Sequence, residues 1–66
     1  MKNRLKVARA EKDITQEDLA KLIGVSRQSI NAIESGRYVP STVLTLTMAR
    51  VFGKAVEEIF MLEETD

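Results

Sequence analysis

Sixty-six residues with no cysteine and no histidine make one domain that neither disulfides nor the common zinc sites can staple. A chain this short buries only about 60% of the surface its unfolded form exposes, so tight helix packing or self-association must make up the deficit. The formal net charge is zero, but nine Lys and Arg against five Asp and Glu leave residues 1–50 at +4, and one against five leaves residues 51–66 at −4. A basic body with an acidic end steers a polyanion to one face and repels it from another. At 44% hydrophobic and 30% charged, the composition is that of a soluble globular protein rather than a disordered one. The longest apolar run, Ile59-Phe60-Met61-Leu62, falls far short of the roughly 18 residues that span a bilayer. The basic start lacks the apolar stretch of a signal peptide, and the expectation is a cytoplasmic protein.

Gly24, Gly36, Pro40 and Gly53 divide the chain into short segments whose apolar residues recur at helical spacing. The pattern predicts an all-α domain of five helices. The first runs from Asn3, a good N-cap, to Lys12, turns Leu5 and Ala8 inward and closes at Asp13-Ile14. The second opens at Thr15, where Thr15-Gln16-Glu17-Asp18 forms a capping box with Asp in place of Glu, and it stops at Gly24 with Leu19, Ala20 and Ile23 on its inner face. The third follows the cap Ser26 and ends at Glu34 or Ser35, with Ile30 and Ile33 inward.

A fourth helix starts at Ser41 and ends at Gly53 on a stripe of Leu44, Met48, Val51 and Phe52. Thr42, Thr45 and Thr47 weaken its intrinsic helicity. The fifth spans Val56 to Met61 and lacks an evident cap, because Ala55 sits where a hydroxyl would serve. The acidic tail, residues 63–66, is expected to fray.

The informative stretch is residues 16–35, QEDLAKLIGVSRQSINAIES. Two short helices joined by a glycine turn and crossing steeply need a small residue at the contact, and Ala20 provides it. Gly24 stands where the chain must take positive φ, Val25 plugs the turn, and Ile30 and Ile33 lock the second helix onto the first. Thr15-Gln16-Glu17-Asp18-Leu19-Ala20, Gly24-Val25-Ser26-Arg27-Gln28-Ser29-Ile30 and Ile33-Glu34-Ser35-Gly36 resemble the Cro/C1-type (XRE-like) helix-turn-helix family. The likeness continues through Pro40-Ser41, Met48-Ala49 and Glu57-Glu58-Ile59-Phe60, so it covers residues 1–66 as a minimal stand-alone member. Ala8 and Thr42 depart from the leucines more common in the family.

The resemblance implies a five-helix, lambda-repressor-like DNA-binding domain with the helix-turn-helix at helices two and three. It places the third helix in the major groove with Arg27, Gln28, Ser29 and Asn31 toward base edges. Arg pairs with guanine O6 and N7, and Gln or Asn with adenine N6 and N7. Gln16 resembles the family glutamine that holds a DNA phosphate and braces the recognition helix, while Ser35, Arg37 and Tyr38 follow that helix in a loop that reaches phosphates. Thr15 and Ser26 are explained as caps. Arg9 and Glu34 match a family pair, which implies a partly buried ion pair of geometric role.

Ile59, Phe60, Met61 and Leu62, with Val56, are more large apolar residues than one face of a short helix can bury. The surplus predicts a homodimer seam. The implied function is a homodimeric regulator of transcription, acting as a repressor on a near-palindromic operator. The alternative is a DNA-binding antitoxin or partner subunit whose main role is contact with another protein. The absence of Cys and His removes the usual nucleophile-base pairs and metal cages, so no enzyme, cofactor or metal is expected.

Overall fold

Most helix boundaries are set by a residue that closes the backbone ladder. In the computed structural model, which describes residues 1–66, α1 (Leu5–Lys12) ends at Asp13, whose left-handed φ of 56° turns the chain back. α2 (Gln16–Ile23) opens on the full capping box: Thr15 Oγ1 accepts from Asp18 N at 3.0 Å and Asp18 Oδ2 accepts from Thr15 N at 3.0 Å. Gly24 ends it at φ +75°, a conformation that glycine adopts without steric cost. α3 (Arg27–Glu34) is capped by Ser26 and α4 (Thr42–Phe52) by Ser41. In α4 the hydroxyls of Thr45 and Thr47 donate to Ser41 O and Val43 O, which occupies side chains that would otherwise compete with the helix.

α5 (Val56–Ile59) is a single turn, shorter than the sequence suggests. Its would-be last residues leave the helix as β2 (Phe60–Met61), which pairs antiparallel with β1 (Lys2–Asn3). Lys2 faces Met61 and Asn3 faces Phe60, and Arg4 N donates to Ile59 O at 2.7 Å to extend the seam. The all-α expectation is therefore corrected to five helices and a small two-stranded sheet. Asn3 is not the first cap. It lies in β1, accepts from Leu5 N at 3.2 Å and donates to Ile33 O at 2.9 Å, tying the seam to the end of α3.

The core gathers one or two residues from each helix and Phe60 from β2. Leu5, Leu19, Ile30, Ile33, Met48 and Ile59 are fully buried, each removed from water for about 1.5–3 kcal/mol. Ala20 is buried among them on α2, and Ala8 is buried on α1. On α4, Leu44, Val51 and Phe52 are only half-buried, and Ala49 takes the buried place beside Met48. No buried polar side-chain atom lacks a partner.

The seam also takes up two of the four residues expected at a dimer interface. Ile59 and Phe60 are 0% and 6% exposed, so the protein's own core consumes them. An extended Phe60 turns inward from β2, where a continuing helix would have turned it elsewhere. Met61 is half-buried and Leu62 is 80% exposed. The tail forms a turn in which Asp66 Oδ2 accepts from Glu63 N at 2.8 Å, and both carboxylates lie within 3.3 Å of the Met1 ammonium.

Candidate nucleic-acid interface

The recognition-helix unit begins with its brace. Glu34, at the end of α3, accepts from Arg9 Nε and, at 3.2 Å, from Arg9 Nη2. The third nitrogen, Arg9 Nη1, donates to Ile14 O at 2.9 Å. Glu34 also accepts from Gln16 Nε2 at 3.1 Å. The Arg9–Glu34 pair thus joins α1, the turn before α2, the start of α2 and the end of α3. The side chains of Arg9 and Glu34 are 14% and 7% exposed, enough shielding for the pair to hold a geometry. Hydrogen bonding to Glu34 raises the Arg9 guanidinium above its already high ordinary value, so the charge persists at every working pH.

Around this brace the polar side chains converge. Gln16, Arg27, Gln28, Asn31 and Arg37 line one hollow of about 210 Å³ with no apolar residue among them. Arg27, Gln28 and Asn31 are exposed on the first two turns of α3, and Gln16 is half-buried beside them. Ser29 is placed differently: its hydroxyl lies 2.9 Å from that of Ser26, within the cap of α3. Beyond α3, Gly36 at φ +79° reverses the chain, and Arg37 returns to the helix with Nη2 donating to Asn31 Oδ1 at 3.0 Å. Ser35 and Tyr38 flank it, and Tyr38 is half exposed. A cluster of polar side chains, two of them guanidinium groups, on and beside the exposed face of α3 suits base edges and phosphates.

A family model described as "Helix-turn-helix" matches residues 5–59. The chain belongs to that family. An uncharacterized HTH-type transcriptional regulator of Methanocaldococcus jannaschii is 53% identical over 66 residues, covering 100% of both chains. Another, YgzD of Bacillus subtilis, is 45% identical over 64 residues and 97% of each chain. The "ImmF control region 10 kDa protein" of Bacillus phage phi105 is 47% identical over 38 residues, 58% of this chain and 42% of its own. Family membership brings DNA binding and transcription regulation with it, without enzymatic activity.

Within the helix-turn-helix, the structure brings Gln16, Arg27, Gln28 and Asn31 together and adds Arg37 to the same hollow, whereas the sequence placed Arg37 only in a following loop. Two contacts had no sequence signal: Gln16 to Glu34 and Arg37 to Asn31. The residue six positions beyond Asn31 reaches back only because Gly36 turns the chain. No helix is long and apolar enough to cross a membrane.

Proposed function

We propose that the protein is a cytoplasmic, sequence-specific reader of duplex DNA that acts as a homodimer on a near-palindromic operator and represses by occupying it. The carrying observation is the polar hollow at α3, where Gln16, Arg27, Gln28, Asn31 and Arg37 converge around a helix braced through Glu34. In this reading the domain docks in the lambda-repressor-like manner. Arg27, Gln28 and Asn31 contact base edges, joined by Ser29 when its hydroxyl turns from Ser26. Gln16, Ser35, Arg37 and Tyr38 hold phosphates.

The homodimer reading is supported by an apolar surface away from α3. Val39, Val43, Leu46 and Leu62 are all more than half exposed, and Val39, Leu46 and Leu62 line one groove with Phe60 at its base. In this reading Leu62 belongs to the dimer interface together with exposed residues of α4. A two-fold pair places its recognition helices about 34 Å apart, one turn of DNA. The name of the phage relative, a control-region protein, is in keeping with repression.

The test is selection from a randomised duplex pool at two salt concentrations. A palindrome with half-sites one turn apart, bound more weakly as salt rises, supports the reading. Weak salt-sensitive binding without enrichment removes it and moves the protein to the role of a partner subunit.

A further inference from the structure

Asparagine is an ambiguous reader, because its amide presents a donor on one side and an acceptor on the other. At Asn31 that ambiguity is removed before any DNA arrives. Arginine carries donors only, so the Asn31 atom that faces Arg37 Nη2 at 3.0 Å must be the carbonyl oxygen. The amide nitrogen then points away from Arg37. Arg37 is itself held at a second point, with Nε donating to Ser35 Oγ at 2.9 Å. The Ser35 hydroxyl donates in turn to Ala32 O at 3.1 Å, and the backbone N–H groups of Arg37 and Tyr38 converge on the same carbonyl at 2.9 and 3.2 Å. A planar fork fixed at two points, on a loop fixed at its own backbone, has little freedom to release its partner.

We infer that Arg37 is a positioning residue that sets the base preference of Asn31 by holding its amide with the nitrogen outward. This rests on the DNA-reading role proposed above. A donor turned toward the groove suits an acceptor edge, and guanine offers two acceptors, N7 and O6, side by side. Thymine O4 and adenine N7 also accept, but adenine N6 and cytosine N4 present N–H groups, which an outward-facing nitrogen cannot satisfy. Releasing Arg37 frees the amide to turn and offer its oxygen to those bases.

The experiment compares duplex selections with the wild type, Arg37→Met, Asn31→Ala and the double variant. Both changed side chains are exposed and lie outside the core. Asn31→Ala identifies the base pair that depends on Asn31, by loss of preference at that position alone. Arg37→Met is expected to shift preference at that same pair toward adenine or cytosine by about three- to tenfold, beside a general loss of affinity from the missing charge. In the Asn31→Ala background, Arg37→Met is expected to change affinity but no preference. Uniform weakening across all sequences, or a shift that persists without Asn31, overturns the inference while leaving the DNA-reading role intact. If the wild type itself enriches no sequence, that role fails and takes the inference with it.

Discussion

Between Thr15 and Ser35 the helix ends are closed by neighbours within a few residues, as in Thr15 with Asp18, Ser26 with Ser29 and the Gly24 amide with Ala20 O. The seam of β1, α5 and β2 is closed by residues from opposite ends of the chain, Lys2 with Met61 and Arg4 with Ile59. The first region is closed by contacts between sequence neighbours and the second by contacts between the two ends of the chain. Their union is the core, to which both Ile30 and Ile59 contribute fully buried side chains. The candidate binding residues of α2 and α3 lie in the locally closed region, and the seam completes the core with Ile59 and Phe60.

The sharpest break in that comparison is a cavity on each side. Ile30→Ala and Ile59→Ala are each expected to cost about 2–5 kcal/mol in denaturant unfolding, a large share of the stability of so small a domain. Equal losses of the whole cooperative transition mean one core. If Ile59→Ala frayed only the ends and left the unfolding midpoint in place, the seam would be an appendage.

Next in size is the brace. Glu34→Ala leaves the Arg9 guanidinium shielded and without its carboxylate, and is expected to cost about 1–3 kcal/mol. Arg9→Met leaves the still more shielded Glu34 carboxylate with Gln16 alone as its partner, so it is expected to cost a similar amount, and it loosens α3 and weakens DNA binding. Unchanged stability and unchanged DNA affinity in Arg9→Met would remove the brace from the account.

The caps offer a smaller and opposite pair of changes. Thr15→Ala is expected to lose about 1 kcal/mol, whereas Ala55→Ser should gain about 0.5–1 kcal/mol by adding the acceptor α5 lacks. Half of a capping box is already in place there, since Glu58 Oε1 accepts from Ala55 N at 3.4 Å. Calorimetric midpoints check both.

The smallest effect is an acid one. The Thr15 backbone N–H, then its hydroxyl, holds the Asp18 carboxyl below its ordinary 3.8. A depressed acid contributes stability that is fully present above about 3.8 and lost as pH falls through the folded value. Asp18 is fully exposed, so the step is small. An NMR titration should place Asp18 below a free aspartate, and Asp18→Asn should remove the step.

The same contrast explains what was legible in the sequence. The capping box, the Ser26 cap, the turn at Gly24 and the small contact residue Ala20 are local choices of residue type, and the structure has each in place. Strands of two residues carry no alternation, so β1 and β2 left no pattern to read. That omission propagated: with α5 drawn too long, Ile59 and Phe60 looked like surplus apolar surface, although the seam sends both inward. At the site, exposed Arg27, Gln28 and Asn31 follow from their spacing against Ile30 and Ile33. The meeting of Arg9 with Glu34 came from family resemblance rather than from any local pattern. Gln16 with Glu34 and Arg37 with Asn31 depend on how α2 and the Gly36 turn are placed in space.

The central claim, that the α3 face and not the apolar α4 face meets DNA, is tested most directly by intermolecular nuclear Overhauser effects between labelled protein and an unlabelled selected duplex. The account predicts contacts from Gln16, Arg27, Gln28, Asn31 and the Ser35–Tyr38 loop, with none from Val43, Leu46 or Leu62. Contacts from those apolar residues, with α3 silent, would contradict it.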